Sequence, residues 1–231
     1  VRHHQIDFAS GALVFPGGKV DPGDHLVRER CSGADDDDIK MSLQVAAIRE
    51  AFEECGILLA RPAGESSIVD AERLKVLEKY RDPLNKDELT IGEFLEAEDL
   101  TLACDMLSPF AHWITPEMMP KRFDTWFYLA AAPSDHVAIH DGHESVDSIW
   151  ISPNDAVEGA KSGKYTIIFP TLLNLQMLAE SKTVNEAMTM AGARNIVTVL
   201  PWTEQRDDGN WLCIPAEAGY GIWEQKMPDP R

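Results

Sequence analysis

The chain has 231 residues, 44% of them hydrophobic and 26% charged, enough to bury a sizeable core in one large domain. Against 21 basic residues stand 39 acidic ones, a formal net charge of −18. That balance excludes a generic nucleic-acid or anionic-membrane binder, since phosphate backbones are held largely by Lys and Arg. No apolar run reaches the roughly 18 residues that a bilayer crossing requires, which excludes a spanning protein. Cys31, Cys55, Cys104 and Cys213 are scattered without a C-x-x-C pair, a usage that suits a reducing compartment: the cytoplasm, or an organelle lumen in a eukaryote.

In chain order, residues 11–15 (Gly-Ala-Leu-Val-Phe) read as a short buried strand stopped by Pro16-Gly17-Gly18. Residues 25–41 are polar and carry Asp35-Asp36-Asp37-Asp38, which reads as a solvated loop inserted into the domain. Residues 42–55 are expected to be helical, with Ser42 as N-cap and Gly56 as terminator. From about 66 to 108 the chain turns acidic and helix-forming. Leu74, Leu77 and Tyr80 share one helical face, and Ile91, Phe94 and Leu95 form a second apolar stripe, so this segment reads as a helical insertion with core-facing sides. Residues 123–130 and 147–151 have strand character, and 170–180 read as a helix with Pro170 in its first turn. A strand over 196–200 precedes Trp202, Trp211 and Trp223, which serve either as packed core or as an interface. The interleaving of helices and strands, without repeats, predicts one α/β or α+β domain spanning residues 1–231.

The chemistry concentrates in Arg49-Glu50-Ala51-Phe52-Glu53-Glu54-Cys55-Gly56-Ile57. On a helix advancing about 100° per residue, Glu50, Glu53 and Glu54 fall on one arc. Val45, Ile48, Phe52 and Cys55 occupy the opposite side. Carboxylates at i, i+3 and i+4 repel one another, and Arg49 can pair with Glu53 four residues on. Upstream lies Gly17-Gly18-Lys19-Val20-Asp21-Pro22-Gly23-Asp24, a Gly-rich stretch after a strand. Other chemistries lack their signatures: there is no P-loop spacing, no G-x-S-x-G elbow and no G-x-G-x-x-G fingerprint.

Together these two pieces resemble the Nudix box, G-x5-E-x7-R-E-U-x-E-E-x-G-U. Gly18 and Asp24 match the first half, with Asp in place of the usual Glu, and Arg49 to Ile57 match the second. Twenty-four residues separate Asp24 from Arg49 where the pattern has seven, so 17 are inserted. A surface excursion of that kind adds little closure entropy, about 0.6 kcal/mol per doubling of loop length. Gly11 and Phe15-Pro16-Gly17-Gly18 resemble the end of a motif of coenzyme A diphosphatases, although His3 and Asp7 depart from its upstream part. His112-Trp113-Ile114-Thr115-Pro116 and the run from Lys121 to Ala130 are similar to the mitochondrial and peroxisomal members of that subfamily.

The resemblance implies an α/β/α sandwich with a mixed β-sheet and the inserted helical segment, and a hydrolase that cleaves a nucleoside diphosphate linked to another group. Mg²⁺ or Mn²⁺ would neutralise the phosphates and activate water, through Glu50, Glu53 and Glu54 with the Gly18 backbone beside them. Arg49 would orient the carboxylates. The general base stays open between a box residue, Glu53 or Glu54, and the later Glu144. Phe15, Gly17, Gly18 and Arg122 are candidate substrate contacts. The favoured substrate is coenzyme A or an acyl-coenzyme A; ADP-ribose or NADH is the alternative, and a nucleotide-sensing module without catalysis is the alternative from another class. The expected partner is thus a small nucleotide diphosphate, and many relatives pair as homodimers.

Overall fold

The computed structural model describes residues 11–140 and 147–227. The chain divides into two compact units, one spanning Val1–Leu107 and Ala130–Ile168, the other Ser108–Leu129 and Phe169–Arg231.

The first unit is built around α1 (Asp38–Cys55). Met41, Val45, Ile48 and Phe52 repeat at helical spacing and are buried. Two 3-10 turns, Pro22–Leu26 and Arg28–Arg30, precede it. β1 (Ala60–Pro62) follows, then α2 (Ala71–Leu77), α3 (Arg81–Asn85) and α4 (Ile91–Ala97), and β2 (Leu100–Leu102) pairs antiparallel with β1, Ala60 opposite Leu102. Leu77, Ile91, Phe94 and Leu95 close over α1 as their stripes predict, with Leu74 and Tyr80 packed at the margin. Phe52 stacks on Phe94 at 5.5 Å, and Tyr80 tilts against Phe94 at 5.0 Å.

In the second unit β3 (Ser108–Ile114) pairs antiparallel with β4 (Asp124–Leu129) and parallel with β5 (Thr198–Val199), a mixed sheet in the order β4-β3-β5. α6 (Phe169–Leu178) and α7 (Val184–Ala193) pack with it around Phe110, Trp113, Leu173, Met177 and Ile214; α5 (Pro153–Lys161) belongs to the first unit. β6 (Trp202–Arg206), β7 (Gly209–Cys213) and β8 (Glu224–Lys226) form an antiparallel meander. Trp202 and Trp223 are exposed on it, while Trp211 is half-buried under the Arg206 guanidinium.

Several local expectations are revised. The helix starts at Asp38, not Ser42, because Asp37 caps it by accepting from the Ile39 and Lys40 amides at 2.9 and 3.0 Å. Ser42 is instead buried, donating back to Asp38 O and contacting His25 Nδ1, both at 2.7 Å. The aspartate run is therefore an ordered helix start: Arg28 also binds Asp38 Oδ1 and the Asp35 and Asp36 carbonyls. Residues 11–15 form no strand ladder and meet the rest of the unit through Leu13 N and Thr166 O, at 2.9 Å. Residues 147–151 carry no strand either. The helix over 170–180 and the strand over 123–130 lie close to their expected bounds.

Candidate active site

Arg49 is the centre of the site. It projects from α1, is 4% exposed, and meets carboxylates on both halves of the box. Its Nε and Nη2 donate to Asp24 Oδ1 and Oδ2 at 3.0 and 3.1 Å, a bidentate fork. Nη2 also donates to Lys19 O at 2.7 Å. Nη1 donates to Glu50 Oε1 at 3.1 Å and to Glu53 Oε1 and Oε2 at 3.2 and 3.3 Å, with Asp21 Oδ2 3.6 Å away. Burial alone would push the guanidinium down; the hydrogen bonds to Asp24 and the charges of Asp24, Glu50 and Glu53 outweigh it and hold the pKa above the ordinary arginine range.

Asp24 is fully buried, and its Oδ2 also accepts from the Asp21 amide at 2.8 Å. One short carboxylate thus shapes the turn after the Gly-rich stretch and grips the helix 25 residues on. The 17-residue insertion leaves the two halves of the box together because this pair closes its base.

Four carboxylates face one guanidinium, and the imbalance falls on Glu53. Burial is the largest cause raising its carboxyl, Arg49 opposes, and the charges of Glu50 and Asp21 add to the rise, to about 7. Asp21 is raised too, first by burial and then by Asp24, against the pull of Arg49. Glu54 is buried as well. The acidic face of α1 is therefore an interior surface as much as the apolar one.

Gly18 lies against Glu50. A Cβ at Gly18 would fall 2.2 Å from Glu50 Oε1, so any side chain there would displace the carboxylate. Gly17 has open space around it, and Phe15 is partly exposed. Arg122 belongs to the second unit, where its Nε donates to Thr115 O at 3.0 Å. Glu144 lies outside the described residues.

Among the described residues no three His, Cys, Asp or Glu side chains form a ready-made metal cage. Mg²⁺ does not need one: it is commonly held by one or two carboxylates, with waters and substrate phosphates completing an octahedron. The space that a Gly18 side chain would take, the Glu50 carboxylate in it and an all-oxygen donor set fit such an ion.

Sequence reading does not single out the clamping role of Asp21 and Asp24, although Asp21-Pro22-Gly23-Asp24 is the pattern of a capped turn with Pro at its first position.

The profile of the NUDT19 Nudix domain family matches residues 27–178. A Caenorhabditis elegans protein whose name is nudix hydrolase 7 is 27% identical over 96% of this chain and 68% of its own length. The acyl-coenzyme A diphosphatase NUDT19 of Xenopus laevis is 25% identical over 78% of this chain, and the match spans 51% of the frog protein. The crystal structure of a NUDIX hydrolase from Alicyclobacillus acidocaldarius superposes with a TM-score of 0.71 at 27% identity, covering 82% of this chain and 85% of that one.

Proposed function

Because this chain belongs to the NUDT19 Nudix domain family, we propose that it hydrolyses the diphosphate of coenzyme A or an acyl-coenzyme A, in a reaction that depends on Mg²⁺ or Mn²⁺. The observation that carries the reading is the buried clamp of Asp24, Arg49, Glu50 and Glu53, which joins the halves of the box across the insertion. The named activity of the frog relative supports the substrate class.

In this reading Glu50 and Glu54 hold the cation beside the Gly18 backbone, with Glu53 completing the acidic set. The cation supplies charge neutralisation at the phosphates and a lowered pKa for bound water. Arg49 fixes the Glu50 and Glu53 carboxylates. Glu53, buried and held by Arg49, is the box carboxylate this reading favours as the base that accepts a proton from attacking water. Hydrolysis at the diphosphate releases a phosphopantetheine and an adenosine bisphosphate. An open cleft of about 670 Å³ in the first unit, walled in part by Trp150, Tyr165 and Lys164, shares no lining residue with this clamp.

The test is a Mg²⁺-dependent panel of coenzyme A, an acyl-coenzyme A, ADP-ribose and NADH, with products separated by chromatography and Glu54→Gln in parallel. Preference for the coenzyme A compounds, lost in the variant, is the expected result. Preference for ADP-ribose or NADH would refute the substrate while keeping the hydrolase. Nucleotide binding without turnover would favour a sensor.

A further inference from the structure

The inserted helices meet the C-terminal turn of α1 through one partly buried side chain. The last carbonyls of a helix have no intrahelical donor, and here two of them are satisfied from outside. Arg81, the first residue of α3, donates from Nε and Nη2 to Glu53 O at 3.3 and 3.0 Å. Cys55 O accepts from the Ile139 amide at 2.9 Å. The same Arg81 Nη2 donates to Ile139 O at 2.7 Å, so one guanidinium bridges the helix end and the loop packed on it. A cation at this end also complements the helix dipole.

Two further features lie around that guanidinium. Gly56 ends α1 in the left-handed region at φ 69°, and a Cβ there would lie 3.2 Å from Arg81 Nη1. The glycine thus serves both the backbone reversal and the clearance of Arg81. The loop before Ile139 is tied to the same insertion twice more: Asp135 accepts from the Ala71 amide at 2.8 Å, and the buried His136 contacts Val69 O at 2.9 Å.

We infer that Arg81 is a positioning residue for the hydrolysis proposed above: it holds the last turn of α1, and with it the carboxylates of Glu53 and Glu54, by bridging Glu53 O to Ile139 O. The inference rests on the hydrolase reading. Glu53 is then gripped at both ends, its carbonyl by Arg81 and its carboxylate by Arg49. Without Arg81 the final turn keeps the Ile139 amide on Cys55 O but loses its partner on Glu53 O, and it frays on a local scale. Misplacement of catalytic carboxylates by about 1 Å lowers turnover on the order of a hundredfold.

The experiment compares wild type, Arg81→Ala, Arg81→Lys and Glu54→Gln in the same Mg²⁺-dependent panel, together with amide hydrogen exchange. Arg81→Ala is expected to lower kcat about 10- to 100-fold with KM within about twofold. Exchange should accelerate in the amides of the last turn of α1 and at Ile139, with the middle of the helix still protected. Added guanidinium ion, below denaturing concentrations, should restore part of kcat to Arg81→Ala and none to Glu54→Gln. Arg81→Lys should recover little, because a point charge on a flexible stem does not reproduce the planar fork that spans two carbonyls. An Arg81→Ala enzyme with kcat within twofold of wild type overturns the inference. So does a kcat loss that guanidinium leaves untouched while protection falls throughout α1, the mark of a general stability role. A wild type that turns over none of the four compounds sinks the hydrolase reading instead, and exchange alone then decides whether Arg81 holds the turn.

Discussion

At the scale of single residues, the proton on Glu53 gives the most direct readout. With its pKa raised to about 7, the folded chain holds this proton more tightly than the unfolded chain between the ordinary glutamate value and about 7. Stability from this group is complete below the unfolded value and is lost as pH rises through the folded one. In metal-free protein with a chelator present, Glu53→Gln is therefore expected to raise Tm by several degrees at pH 8 and to change it little at pH 4.5. An equal change at both pH values would contradict that account. Asp24 tests the clamp itself. Its carboxylate is buried against Arg49 in a two-bond fork, so Asp24→Asn turns an amide NH2 toward the guanidinium in place of one fork acceptor and costs about 3 kcal/mol, measurable by urea unfolding. The sequence points to Arg49 and the three glutamates because fixed helical offsets expose them. It gives no comparable signal for Asp24 as a clamp or for Arg81 as a cap, since both act across long chain separations that only the fold closes.

Among the elements, helices are more legible than strands for a physical reason. Apolar spacing and terminator residues are local, so the stripe of Val45, Ile48 and Phe52, and Gly56 as the stop, could be read directly. The start of α1 lies four residues before the expected one, because four consecutive aspartates resemble a solvated loop and the cap among them is identified only by where the backbone turns. Asp37→Ala should cost about 1 kcal/mol and loosen the first turn, whereas Ser42→Ala should leave that turn capped. Circular dichroism with denaturant titration distinguishes the two. Residues 11–15 and 147–151 have strand-like composition, but a strand is defined by its partner, and neither segment has a ladder. Residues 196–200 fare better, for Thr198 and Val199 find His112 and Trp113 alongside.

For the whole molecule, the charge of −18 makes cations the natural counterparts. A ligand that binds the folded chain and not the unfolded one stabilises it by mass action. Mg²⁺ at 100 times its dissociation constant should therefore raise stability by about 2.7 kcal/mol. Thermal melts should show this shift in wild type and lose it in Glu50→Gln, independently of any activity. NaCl at matched ionic strength should not reproduce it. A shift that survives Glu50→Gln would place the cation elsewhere on the acidic surface.

The closure of the insertion has a consequence for how the chain could be divided. The stretch around Ala34 is held on one side by Ser32 N on Leu102 O and Asp105 N on Ser32 O, and on the other by Arg28 with the Asp35 and Asp36 carbonyls and Asp38. The Asp24–Arg49 fork spans the whole excursion. Peptide-bond continuity between Ala34 and Asp36 is thus one link among several. A single protease cut there should yield two fragments that stay associated on a sizing column and separate only in denaturant. Expressed separately, those fragments would be the starting point for a split protein whose two pieces each carry half of the box.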